Sequence, residues 1–164
     1  MATNAILSKM GTPVVFQESG GNVTFTLNDT VDLGNGQVSN QWDRGASPRP
    51  TTYLLDAKIK WVATPTLGDV VRIYLSDSES TARDLAADGD VTPETKFGNF
   101  RFVGQVVCSV AADQAFYASF VVDIVGRYVN LGVWNASGTK DLNATANACS
   151  ITLTPCYPDI QAAA

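Results

Sequence analysis

The chain has 164 residues, with eleven basic against sixteen acidic side chains, a net charge of -5, 45% hydrophobic and 16% charged residues, and no histidine. That length favours one domain with a core of its own, and the balance of apolar to charged residues excludes a disordered chain or a coiled coil. Net acidity without a Lys/Arg cluster argues against nucleic acid as a partner, and the lack of histidine removes the Ser-His-Asp and Cys-His nucleophile pairs and the commonest metal ligand.

The first residues, "MATNAILSKMG", carry one Lys and no apolar core of signal-peptide length, and no run approaches the ~20 apolar residues of a membrane span. The expectation is a protein folded in the cytoplasm, with no membrane partner. Residues 1–13 are small and polar apart from the isolated Ile6, Leu7 and Met10. Such a stretch predicts a flexible N-terminal arm that orders only against a partner.

The body opens with the short "PVVFQ", and from there period-2 alternation dominates. In "NVTFTL" Val23, Phe25 and Leu27 are apolar and their neighbours polar. Residues 34–50, "GNGQVSNQWDRGASPRP", read as a long connection, of a kind uncommon in a compact domain unless it serves a function. Trp42 within it either docks back on its own body or anchors a contact.

"YLLDAKIKWV" sends Leu55, Ala57, Ile59 and Trp61 inward, and "VVRIYLSDS" pairs Val71, Ile73 and Leu75 against Arg72, Tyr74 and Ser76. "STARDLAAD" is the one place for about two turns of helix. "RFVGQVVCS", "QAFYASFVVDI", "YVNLGVWN" and "ACSITLTP" repeat the alternation, with Phe116, Ala118, Phe120, Val122 and Ile124 as the longest single-face stripe. Turn signals separate the runs: "SGGN", "TPTLGD", "ADGD", "VGR" and "ASG". The fold class is all-β: an eight-stranded antiparallel two-sheet sandwich of jelly-roll type over residues 14–158, with a C-terminal tail at 159–164.

Chemistry is sparse. The acidic loop holds Asp77, Glu79, Asp84, Asp88, Asp90 and Glu94 without EF-hand spacing, and all lie on one surface loop rather than on facing strands of a glycosidase cleft. Neither a catalytic residue, a metal ligand nor a cofactor is expected. Asn22, Asn28, Asn135 and Asn143 begin Asn-x-Ser/Thr triplets, read as unglycosylated surface positions in a chain without a secretory signal. Cys108, Cys149 and Cys156 show no metal spacing, and Cys149 and Cys156 bracket one extended segment roughly 20 Å long, too far apart to bridge. They read as buried thiols. By parity Val129, Leu131 and Val133 enter the core while Tyr128, Asn130 and Trp134 face outward. Tyr128 and Trp134, with Tyr74, form either a protein contact or a sugar platform.

The run from "RFVGQVVCS" to "ITLTPCYP" resembles the small jelly-roll virion proteins that decorate the heads of tailed bacteriophages. The likeness lies in an aromatic-Val-Gly strand (Phe102, Val103, Gly104), a long strand, then Arg127 and Tyr128. An apolar strand follows, ending in Asn135, Ser137 and Gly138, and the closing strand reaches Pro155. "RIYLSDSES" is similar to an earlier strand of that pattern. The resemblance covers roughly residues 53–158 and rests on strand-and-turn grammar.

It implies a capsid decoration protein, not an enzyme, on the phage head surface after synthesis in the bacterial cytoplasm. The implied partners are the major capsid protein and further copies of the chain, as a homotrimer. Ile6, Leu7, Met10, Trp42, Tyr128 and Trp134 are the expected contact residues. The alternatives are a carbohydrate-binding or host-attachment module of the virion, or a tail component.

Overall fold

The computed structural model describes residues 6–27, 34–81, 89–91, 93–137, 140–143 and 145–160. Alternation becomes a strand wherever one face can be buried. In β6 (Thr52–Ile59) burial alternates residue by residue, with Tyr53, Leu55, Ala57 and Ile59 inward. Val71, Ile73 and Leu75 do the same in β7 (Val70–Ser78), and Phe116, Ala118, Phe120 and Val122 form the inner row of β10 (Phe116–Asp123). In β11 (Tyr128–Asn135) every residue after Tyr128 is buried, so both faces of this strand are covered.

The other strands are β1 (Ile6–Met10), β2 (Val14–Gln17), β3 (Val23–Thr24), β4 (Gly36–Val38), β5 (Trp42–Asp43), β8 (Gly89–Val91), β9 (Arg101–Val107) and β12 (Ser150–Ile160). One sheet has the order β10-β6-β12-β2-β3, with β1 also on β12; the other has the order β8-β4-β11-β7-β9, with β5 also on β11. Antiparallel pairs join β2 to β12, β4 and β5 to β11, β6 to β10, and β7 to β9. First meets last, second meets second-last, and so inward: a long hairpin rolled into two facing sheets, which is the jelly roll.

The sandwich and its eight principal strands are those that the alternation predicts, with one displacement. "NVTFTL" is a strand only at Val23–Thr24, where it lies parallel to β2. The second principal strand sits instead inside the predicted 34–50 connection, split into β4 and β5, because three- and two-residue pieces carry too little alternation to be seen. β1, β3 and β8 are additions. The predicted N-terminal arm is likewise corrected over Ile6–Met10, which pair in register with β12 from Ile160 to Cys156. The partner that orders this segment is the chain's own last strand; residues 1–5 lie outside the described residues. β12 runs to Ile160, so the predicted tail begins within a strand. The proposed helical stretch falls almost entirely on residues 82–88, outside the described ones.

The main core lies between the sheets and holds Phe16, Phe25, Leu55, Trp61, Ile73, Leu131 and Ile151 among others. Each such side chain contributes roughly 1.5–3 kcal/mol relative to exposure. A second, smaller core of Val38, Val91, Phe97, Phe100 and Trp134 sits on the outer face of the β11 sheet, under a 3-10 turn at Glu94–Asn99.

Candidate interaction site

The parity assigned to Trp134 is correct, but its expected exposure is not. Val129, Leu131 and Val133 are fully buried between the sheets, and Trp134 points the other way. Yet Trp134 is only 9% exposed, because the turn brings the Phe97 ring edge-on to it at 6.5 Å. Phe97 also stacks on Tyr74 at 4.7 Å and lies over Gly132 and Gly36, where a Cβ would overlap its ring. Glu94 anchors the turn: its carboxylate accepts both hydrogen bonds from the Arg72 guanidinium at 2.8 Å and one from the Tyr74 hydroxyl at 2.5 Å. Burial, then the Glu94 bond, pushes the Tyr74 hydroxyl up to about 12. The platform of Tyr74, Tyr128 and Trp134 therefore does not stand open.

Trp42 docks on its own body. Its ring meets Phe16 and Tyr53 edge-on, each at 6.0 Å. Tyr128 is half-buried at the same end, with the Arg127 guanidinium 5.0 Å above its ring. Arg127 in turn grips Asp43 through two hydrogen bonds of 2.7 Å. Those bonds, with the Gly45 N–H, hold the Asp43 carboxyl down at about 2. Arg44 donates to the Tyr53 hydroxyl and to the carbonyls of Gly126 and Pro50. This end of the sandwich is a set of satisfied ion pairs that fixes loops.

The acidic loop does not converge. Asp77 accepts the N–H groups of Val125 and Gly126, Glu79 pairs with Arg49, and Glu94 holds the turn. Asp84 and Asp88 lie outside the described residues, and Asp90 belongs to the backbone ladder of β8. No group of three or more potential metal ligands occurs among the described residues. Of the Asn-x-Ser/Thr positions, Asn135 is fully buried, not at the surface as expected: it accepts from the Ser137 N–H and donates to the Lys140 carbonyl. Asn22 is exposed and Asn143 half-buried, and Asn28 lies outside the described residues. The three cysteines are free, with Cys108 and Cys149 buried and Cys156 half-buried, its Sγ 3.6 Å from the Sδ of Met10. Burial pushes the Cys149 thiol up to about 11.

What stands open is elsewhere. Among the described residues ten large apolar side chains are exposed, and seven lie along the β9–β10 edge and the loops at its end. Tyr117 and Val121 occupy outward positions of β10, and Val125 continues that row just past the strand; they are 71–74% exposed. On the outer face of the other sheet β9 presents Phe102, opposite Tyr74, and Val107. Leu67 and Val110 extend the strip around the end, where the Gly68 N–H bonds the Cys108 carbonyl. Sequence reasoning missed these residues although the signal is plain. The outward positions of β6 are Thr52, Leu54, Asp56 and Lys58, with one large apolar residue, whereas those of β10 are Tyr117, Ser119, Val121 and Asp123, with two.

A second feature is a ribbon. β6 ends its pairing with β12 at Cys156, so residues 157–160 continue paired with β1 alone. Of the expected contact residues, Met10 lies there and is exposed, and Ile6 and Leu7 belong to the same strand. These three lie on β1 in the β12 sheet, whereas Trp42, Tyr128 and Trp134 lie on β5 and β11 of the other sheet.

No protein-family model and no curated protein matches the chain. Among solved structures it is similar to the C-terminal CBM6 of LamC, a marine laminarinase from Zobellia galactanivorans, at 12% identity over 87% of this chain and 99% of that one, with a TM-score of 0.46. It is also similar to murine APRIL, at 11% identity over 93% and 99% of the two chains, with a TM-score of 0.43. Scores and identities this low leave the fold assignment resting on the strand order itself.

Proposed function

We propose that this chain is a non-enzymatic structural protein of a bacteriophage virion: a decoration subunit that binds the major capsid protein lattice of the head and copies of itself. The observation that carries the reading is the one-sided exposure of apolar side chains along β9 and β10, with Val121 at 74% and Tyr117 at 72%. An exposed apolar strip gathered along one edge is the kind of surface that marks a protein contact. The sugar-binding alternative loses support, since two of its three platform aromatics, Tyr74 and Trp134, are packed with Phe97. A binder of an assembled shell stabilises it by mass action, and many copies on a repeating lattice make weak contacts cumulative.

The ribbon of β1 and the end of β12 is the first candidate for the lattice contact, because it projects beyond β6. The test is co-sedimentation of the purified chain with phage heads lacking it. Saturable binding is expected, and removal of residues 1–13 lowers occupancy while circular dichroism still reports a folded sandwich. Absence of binding to any head, together with retention on an immobilised glycan, overturns the reading in favour of a carbohydrate-binding module.

A further inference from the structure

We infer that the free edge of β10 receives an extended segment of a different polypeptide, which adds to the sheet as a further strand and carries a basic residue between two apolar ones. The two sheets end in four strands, β3, β8, β9 and β10. β3 has two residues, β8 has three, and the ladder of β9 is broken by a register shift between Ile73 and Tyr74 of β7. Short strands and bulges are the usual guards of an exposed edge. β10 has neither: its eight residues pair with β6 in unbroken register, and "FYASFVVD" contains no Pro, Lys or Arg.

The ladder fixes which backbone groups are open. The Ile124 N–H bonds the Thr51 carbonyl, one step past the Asp123–Thr52 pair, so the alternating antiparallel pattern commits Phe116, Ala118, Phe120 and Val122 to β6. Tyr117, Ser119, Val121 and Asp123 then aim their N–H and C=O groups away from it. Arg101 takes the Asp123 carbonyl, which closes that end. The backbone groups of Tyr117, Ser119 and Val121 meet no partner among the described residues, and they form three successive bonding positions for an added strand. The side chains suit the same occupant. Exposed Tyr117 and Val121 would flank its outward residues, while Ala118 and Phe120 of the inner row are only half-buried at this edge. Charge sets its centre. The small Ser119 donates to the Asp56 carboxylate on β6, which has no ion pair among the described residues, and the Lys58 amine nearby is turned to the Asn147 carbonyl. A lysine placed opposite Ser119 reaches over it to Asp56, two strand spacings or roughly 10 Å away. The β10 of a second copy has no basic residue to offer there.

The inference rests on reading the strip as a protein contact, but not on the head as its location. The probe is the blocked peptide Thr-Val-Thr-Lys-Thr-Val-Thr, whose pattern is the same in either strand direction, titrated into the full-length chain. Saturable binding is expected, with the amide protons of Tyr117, Ser119 and Val121 fast to exchange in the free chain and protected in the complex. Replacing the central Lys of the peptide by Glu should weaken binding roughly tenfold or more, since that carboxylate would face Asp56. Methylating the backbone nitrogens of its Lys and both Val should abolish binding, because those N–H groups are the ones that face β10. Ser119→Pro removes an N–H that points away from β6, so the chain should keep its circular dichroism spectrum and lose the peptide. No binding, equal binding of the Glu or methylated peptide, or amides already protected in the free chain by a second copy overturns the inference. A chain that ignores the peptide but binds heads would sink this inference and leave the proposed function standing; one that takes the peptide and ignores heads would do the reverse.

Discussion

Trp134 shows how a side chain can obey strand parity and still be buried. The alternation of β11 points it away from the main core, and a turn some forty residues earlier in the chain then covers it. Trp134→Ala should therefore act on folding: a loss of about 3 kcal/mol in denaturant melts is expected, at the low end for a buried Trp. Asp43 gives a second residue-scale expectation. Arg127 and the Gly45 N–H hold its carboxyl at about 2, below the ordinary 3.8. A carboxyl depressed on folding contributes stability that is present above the ordinary value and lost as pH falls towards the folded one. Asp43→Asn should lower the melting temperature at pH 6 and lose most of that difference as pH falls from about 4 to about 2; a difference as large at pH 2 as at pH 6 contradicts the pairing.

At the scale of elements, the 3-10 turn is a clasp. Phe97 fits only because Gly132 and Gly36 leave room, with Phe97 Cε2 at 2.8 Å from a Cβ built at Gly36. Gly132→Ala should overpack this contact and cost about 1–3 kcal/mol. In a Phe97→Ala background the same substitution should cost much less, and the interaction term of that double-mutant cycle, read by urea melts, is the check. Strictly additive effects would mean that the ring does not press on Gly132.

The clasp also marks where sequence reading stops. The rows Leu55-Ala57-Ile59 and Val71-Ile73-Leu75 were legible because each strand announces its own buried face. That Phe97 would cross to the outer face of β11 was not, since nothing local to "ETKFGN" specifies its target. Gly36–Val38 and Trp42–Asp43 were too short to alternate visibly. The open strip was legible, as apolar residues at both parities of β10, but it is a feature of what the strand lacks.

For the whole molecule, the rolled hairpin makes the last strand the centre of its sheet. β12 lies between β6 on one side and β1 and β2 on the other. The pairing of Phe16 with Ile151 joins the two ends of the domain. Closing so long a loop carries an entropic cost that only the finished sheets offset, which also places the chain among slow-folding, non-local β topologies. The two termini should therefore respond very differently to truncation. Removing residues 1–13 takes away β1, whose pairing lies mostly beyond the end of β6, and the sandwich should persist. Removing residues 150–164 takes Ile151 and Leu153 out of the core and leaves β6 and β2 without their shared neighbour. That chain should show neither a cooperative melt nor dispersed amide resonances, because β6 and β10 would be left as an isolated ladder with one face bare. A cooperative melt from the C-terminal truncation would mean that the sheets close without their central strand, contrary to the pairing of first strand with last.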